Sequence, residues 1–342
     1  MQKFMLSLCA LVIAGSTYAQ ESKTYKTKFS GANKRVIMDI DAKQLDIEGY
    51  NGDEVIIEAI DVPSVPKEAD GLRPLSAAGV DNTNVGLSAY PNGDVLKINV
   101  VMKGKALYKI KMPKELGLAV KKRNSCSCNE NGMSITGMEG SIEVNTNYES
   151  IKLTNVTGPI VANSSQGNIK VIFDDKMPDK PSSIVSYGGD VDISIADKSK
   201  VLFSINSSDG NMFTDLDLKP YTPDPKVIED EKRALEDTRA IKRSQSAAWS
   251  SEDKVKAEAE TASGQNINIS GKTYTATTPK PAIGTSYSGS NVYIANGDGF
   301  YYTFGDKVWD GDRNTPKYVL NDPQTKIAIR TTRGNVYLRK KK

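Results

Sequence analysis

Cys126-Ser127-Cys128 is the stretch whose residue types point most directly to chemistry. Two residues apart on an extended strand, both sulfurs face the same way. A pair of thiolates there would supply half of a metal site or a strained redox disulfide. Asp310-Gly311-Asp312-Arg313-Asn314 opens like a calcium loop, but Thr315 stands where the sixth-position glycine belongs and Asn321 where the bidentate glutamate belongs. Glu143, Asp190, Asp192 and Asp209 are the carboxylates that a glycoside-cleaving site would draw on, and each reads equally as an ordinary solvated-face residue. The chain contains no histidine, which excludes Ser-His-Asp and Cys-His catalysis and His-ligated metal. No glycine-rich phosphate loop joins a strand to a helix. No catalytic residue, cofactor or metal is therefore assigned. A softer signal is aromatic: Phe300, Tyr301, Tyr302, Trp309 and Tyr318 cluster before the last repeat. Such residues bind glycans or protein partners on flat β-surfaces, or else close the open end of a stack.

The elements that would position these residues repeat. Ile142-Glu143-Val144-Asn145-Thr146, a turn at Glu149-Ser150 and Ile151-Lys152-Leu153 recur 18 residues later as Ile160-Val161-Ala162-Asn163-Ser164, Gly167-Asn168 and Ile169-Lys170-Val171. Two short strands per period of about 20 residues is the mark of a β-solenoid, in which each rung buries its apolar edge by stacking on the next. Counting from the turn residue, positions minus seven and minus five are apolar (Ile142 and Val144, Ile160 and Ala162, Phe203 and Ile205, Ile327 and Ile329), with Ser182 and Ile184 in another copy. Minus three is a hydroxyl in Thr146, Ser164, Ser186, Ser207, Ser286 and Thr331. Plus two holds Ile151, Ile169, Val191, Met212 and Val336, and plus four Leu153, Val171, Ile193, Thr214 and Leu338. Alternation turns all of these inward, and the hydroxyls form a corner column able to satisfy one another or the turn backbone. With a turn at Met133, Cys126 and Cys128 fall at minus seven and minus five, so core packing of small apolar thiols stands beside the reactive reading. A bulged copy is expected around Gly289.

Upstream, Arg35 to Ile40, Gln44 to Gly49, Glu54 to Ala59, Val85 to Ala89, Val95 to Val101 and Leu107 to Met112 alternate as strands, and Asn51-Gly52 signals a hairpin or tight turn. The expected fold is all-β: a β-rich N-terminal region over 20–117, then a β-solenoid of about seven rungs over 118–342, interrupted by a charged, helical or mobile insertion at 219–281. Residues 1–19 read as a signal peptide: Lys3, an apolar run to Gly15, then Thr17-Tyr18-Ala19. Cys9 follows Leu8, where a lipid-anchoring signal calls for a small residue. No later stretch is long and apolar enough for a membrane helix. Lysine and arginine total 45 against 42 acidic residues, a balance that does not point to nucleic acid, and the basic Arg339-Lys340-Lys341-Lys342 tail reads as solvated.

Gln44-Leu45-Asp46-Ile47-Glu48-Gly49 with Gly52-Asp53-Glu54-Val55, Tyr108-Lys109-Ile110-Lys111-Met112-Pro113-Lys114, and the repeats Gly140-Ser141-Ile142-Glu143-Val144, Gly158-Pro159-Ile160, Gly167-Asn168-Ile169 and Gly334-Asn335-Val336-Tyr337-Leu338 resemble a bacterial adhesin-like family of exported β-solenoid repeat proteins. The resemblance implies a periplasmic, outer-membrane-associated or cell-surface protein that acts without enzymatic activity as a binding or structural module, its partner a protein or glycan of the envelope. The alternatives are a polysaccharide-acting enzyme on a β-helix scaffold and a component of envelope signalling.

Overall fold

The computed structural model describes residues 22–102, 106–122, 132–222 and 315–342, with the backbone of strands at 292–293, 301–304 and 307–310. Among the described residues the chain is all-β; a single 3₁₀ turn, Lys67–Ala69, is its one helical piece. Two long parallel sheets lie against each other, and the chain passes from a strand of the first, round a corner, to a strand of the second. Each such pair is a rung, and among the described residues eight rungs stack.

In spatial order rung 1 is Val95–Val100 with Leu107–Pro113, rung 2 is Arg35–Ile40 with Gln44–Tyr50, and rung 3 is Gly117–Lys122 with Met133–Thr136. Rung 4 is Ile142–Thr146 with Ile151–Val156, rung 5 is Ile160–Ser164 with Ile169–Phe173, and rung 6 is Ser182–Ser186 with Val191–Ile195. Rung 7 is Thr325–Thr331 with Val336–Lys340, and rung 8 is Val201–Ser207 with Met212–Thr214. The stack thus runs through both sides of the boundary expected at residue 117, and six of its eight described rungs lie in the region where about seven were expected. Two come from the region upstream of that boundary, and the copy expected around Gly289 lies outside the described residues, as does most of the 219–281 insertion.

Chain order and spatial order part at both ends. Rung 2 lies between rung 1 and rung 3, and rung 7 lies between rung 6 and rung 8. Asn51-Gly52 is a turn but not a hairpin, because Leu107–Pro113 lies between the two flanking strands, parallel to Gln44–Tyr50 and antiparallel to Glu54–Ile60. Antiparallel strands close the first end: Glu54–Ile60 and Ser22–Lys28 on one sheet, Leu87–Asn92 on the other. At the far end Lys317–Leu320 pairs antiparallel with Val201–Ser207, whereas Met212–Thr214 is the outermost strand of its sheet.

The period-2 pattern explains the core. The partners in register run Leu118, Ile142, Ile160 and then Val120, Val144, Ala162 across the first sheet, and Met133, Ile151, Ile169, Val191, Val336 across the second. All of these are buried. Full burial of a large aliphatic side chain stabilises by about 1.5–3 kcal/mol, and each rung contributes several. In rung 4 Asn155 adopts a left-handed φ of 52°, at the shift of register between Thr154 and Val156; this bulge turns Val156 back into the core.

The register corrects one expectation. Leu118 and Val120, not Cys126 and Cys128, occupy the columns of Ile142 and Val144. Met133 and Ile135 pair with Ile151 and Leu153, so Met133 is a strand residue and not the turn. The five-residue corner step of the other repeats, Thr146 to Ile151 for example, becomes eleven residues from Lys122 to Met133. The two cysteines fall within that longer corner, at positions outside the described residues.

Candidate functional site

The corner of the stack gathers the polar residues that the repeat makes conspicuous, and their bonds hold backbone to backbone. Thr146 Oγ1 donates to the Glu149 carbonyl at 3.1 Å, and Ser164 Oγ donates to the same oxygen from the next rung at 3.3 Å. Ser164 Oγ accepts the Gly167 N–H (2.8 Å), and Ser186 Oγ donates to the Gly167 carbonyl (3.1 Å) while accepting the Gly189 N–H (3.0 Å). Thr331 continues the chain to the Gly189 carbonyl and the Gly334 N–H. Beside this column runs another: Asn168 Oδ1 accepts the Asp190 N–H, Asp190 Oδ1 the Asn335 N–H and Asn335 Oδ1 the Asn211 N–H, at 2.8, 2.7 and 3.0 Å. Asp190, one of the carboxylates suited to glycosidic chemistry, is therefore a backbone acceptor. The expected hydroxyl column is present through rungs 4 to 8; Ser286 lies outside the described residues.

Rung 3 breaks the column. Lys122 stands in register with Thr146, and its ammonium lies 3.0 Å from Glu149 Oε2 with both side chains almost wholly shielded from solvent. Alternation places Lys122 on the inward face, a signal present in Leu118-Ala119-Val120-Lys121-Lys122 but hidden by the wrong register for the first rung.

The remaining carboxylates point apart. Glu143 is on the outer face of the first sheet and pairs with Arg35. Asp192 is on the outer face of the second, between Lys170 at 3.4 Å and Arg339 Nε at 3.1 Å. Among the described residues no group of three or more cysteine, aspartate and glutamate side chains is arranged to hold a metal ion. Burial, with the Asp81 carboxylate adding, pushes the Tyr108 phenol well above its ordinary value. Its hydroxyl donates to the Val85 carbonyl at 3.0 Å, which pins the closing loop at the first end.

The second sheet also leaves aromatic rings open to solvent. On the outer face of the second sheet Phe213 is in register with Tyr337, and Tyr337 with Asp192. The two rings stack with centroids 5.5 Å apart and planes 14° from parallel, while Phe213 keeps 51% of its surface exposed. The Arg339 guanidinium lies 5.0 Å from the Tyr337 ring centre, held there by its bond to Asp192. At the adjoining corner Arg333 lies 5.4 Å from the centre of the exposed Tyr187 ring. Strand alternation foretells the outward placement of Tyr337 and Phe213, but their adjacency depends on rung 7 lying against rung 8.

The aromatic residues expected to bind are divided. Tyr301 and Tyr302 are on the strand Tyr301–Phe304 and Trp309 is on Lys307–Asp310, in a three-stranded antiparallel sheet in which Tyr302 is the register partner of Trp309. Phe300 lies outside the described residues. Tyr318 belongs to a different sheet, in register with Phe203 at the end of the stack and packed partly buried against the core.

No protein-family model matches the chain, and a search of curated proteins finds no match. Among solved structures the chain is similar to one from Clostridium sporogenes described as a "putative cell adhesion protein", at 7% identity and a TM-score of 0.36, over 94% of this chain and 100% of that one. A similarity that distant carries no argument about fold or function.

Proposed function

We propose that this chain is an exported, non-enzymatic, adhesin-like binding or structural module of the cell envelope, which takes a protein or glycan partner on the outer face of its second sheet. The observation that carries the reading is the exposed Phe213–Tyr337 ring pair, flanked by Arg339, Asp192 and Lys170. Flat apolar rings framed by donors and an acceptor suit a partner that offers an apolar face and polar edges. The hydroxyls and the amide column, by contrast, are consumed in holding the stack together. Export is supported by the leader-like residues 1–19, and no helix among the described residues is long and apolar enough to cross a membrane.

The test is a pull-down from envelope extract with three proteins: the native chain, the Phe213→Ala/Tyr337→Ala variant and a chain lacking 224–262. The double variant is expected to lose the partner while keeping its thermal midpoint, and the deletion is expected to retain both. Identical partner lists from the native chain and the double variant would overturn the assignment of this face.

A further inference from the structure

Rung 7 is supplied from far along the chain. Thr214, which ends rung 8, and Thr325, which begins rung 7, are 111 residues apart, yet rung 7 lies between rung 6 and rung 8 and is hydrogen-bonded to both. Thr325–Thr331 pairs parallel with Ser182–Ser186 on one side and with Val201–Ser207 on the other. Val336–Lys340 does the same between Val191–Ile195 and Met212–Thr214. The corner columns pass through it without a break, Asp190 to Asn335 to Asn211 and Gly189 to Gly334 to Gly210. With rung 7 withdrawn, rungs 6 and 8 would leave a slot with two facing rows of backbone donors and acceptors in each sheet.

We propose that this slot accepts rung 7 from a second copy of the chain, so that two copies join by exchanging Thr325–Lys340. Three features favour a second copy over an unrelated strand. A filler must pair on both sides in both sheets, and it must bring Ile327, Ile329, Val336 and Leu338 to the inward columns, all of them buried here. It must also present glycine at the corner, because a Cβ on Gly334 would lie 2.0 Å from the Gly189 carbonyl oxygen. Residues 325–340 of another copy meet every condition with the contacts already seen, which is the general basis of exchange between identical chains. During synthesis at about 5–20 residues per second, rung 8 emerges some 5–20 s before rung 7, and the slot is open to a neighbour for that interval. The tether favours self-insertion in dilute solution, with an effective concentration on the order of millimolar or less.

The test uses the full chain with Cys9→Ser, Cys126→Ser and Cys128→Ser. Ser194 and Arg339 are register partners on adjacent strands, within reach of a disulfide between substituted cysteines. One chain carries Ser194→Cys alone, the other Arg339→Cys alone, and the two are unfolded, mixed, refolded and oxidised. Exchange predicts a mixed disulfide dimer of native thermal midpoint whose yield rises about tenfold for a tenfold rise in concentration during refolding, while the same chains mixed after separate folding give little. A chain carrying both substitutions is expected to close its own disulfide. Monomer alone at every concentration, with that internal disulfide formed, overturns the exchange. Failure of the internal disulfide overturns the placement on which it rests. A self-association that fails here leaves the ring-pair surface untouched, since that is read by partner capture.

Discussion

Lys122 and Glu149 form an ion pair at 3.0 Å inside the stack, with both side chains almost fully removed from water. They stand where the later rungs place a hydroxyl and a glycine, so a charged pair substitutes for the uncharged corner at one step. Removing one partner of a buried pair leaves an uncompensated charge, which typically costs about 3–5 kcal/mol. Lys122→Met and Glu149→Gln are each expected to destabilise by that order in urea unfolding. The combined Lys122→Thr/Glu149→Gly change, which copies the corner of the later rungs, is expected to recover most of the loss. If the double change is as destabilising as the sum of the single ones, the pair is not equivalent to the hydroxyl–glycine corner.

The stacked glycines make a second prediction with its own control. A Cβ on Gly189 would come within 2.3 Å of the Gly167 carbonyl oxygen, a fixed backbone atom, whereas one on Gly93 meets nothing within 4 Å. Gly93 has a φ of 58°, so alanine there meets only local backbone strain, about 1 kcal/mol. Gly189→Ala must separate two rungs, and a loss above about 4 kcal/mol is expected. Thermal unfolding of the two variants decides: equal midpoints would mean that the corner yields freely.

Tyr108 links the closing loop to pH. Its phenol is held above the ordinary value of 10.0 chiefly by burial, so it stays protonated in the folded chain at pH values where the unfolded chain loses that proton. Above about pH 10 the unfolded state therefore binds fewer protons, and stability falls as pH rises. Below pH 10 the contribution is constant. Tyr108→Phe is expected to cost about 0.5–1.5 kcal/mol at neutral pH through the lost bond to the Val85 carbonyl, and to flatten the alkaline decline. Urea midpoints from pH 8 to 11 measure both; an unchanged alkaline slope would mean that other tyrosines govern it.

Local alternation alone determined that Ile142, Val144, Ile151 and Leu153 point inward, that Thr146, Ser164, Ser186 and Thr331 form a corner column, and that Tyr337 points out. Strand pleating repeats every two residues, so composition at that spacing is enough to assign a face. It was equally enough to suggest a solenoid, because five positions recur at the same offsets from each turn. Sequence spacing failed at the first repeat, where the longer corner between Lys122 and Met133 allowed Cys126 and Cys128 to imitate the core columns that Leu118 and Val120 occupy. Spacing also could not place Arg35–Ile40 between Val95–Val100 and Gly117–Lys122, or Thr325–Thr331 between Ser182–Ser186 and Val201–Ser207. Every rung carries nearly the same columns, so any rung fits locally on any other. Their order is decided only by contacts between distant segments, such as Thr325 Oγ1 to the Pro178 carbonyl and Asn321 Nδ2 to the Asp197 and Ser199 carbonyls. The same tertiary order, by setting rung 7 beside rung 8, brings Tyr337 against Phe213 and creates the surface on which the proposed function rests.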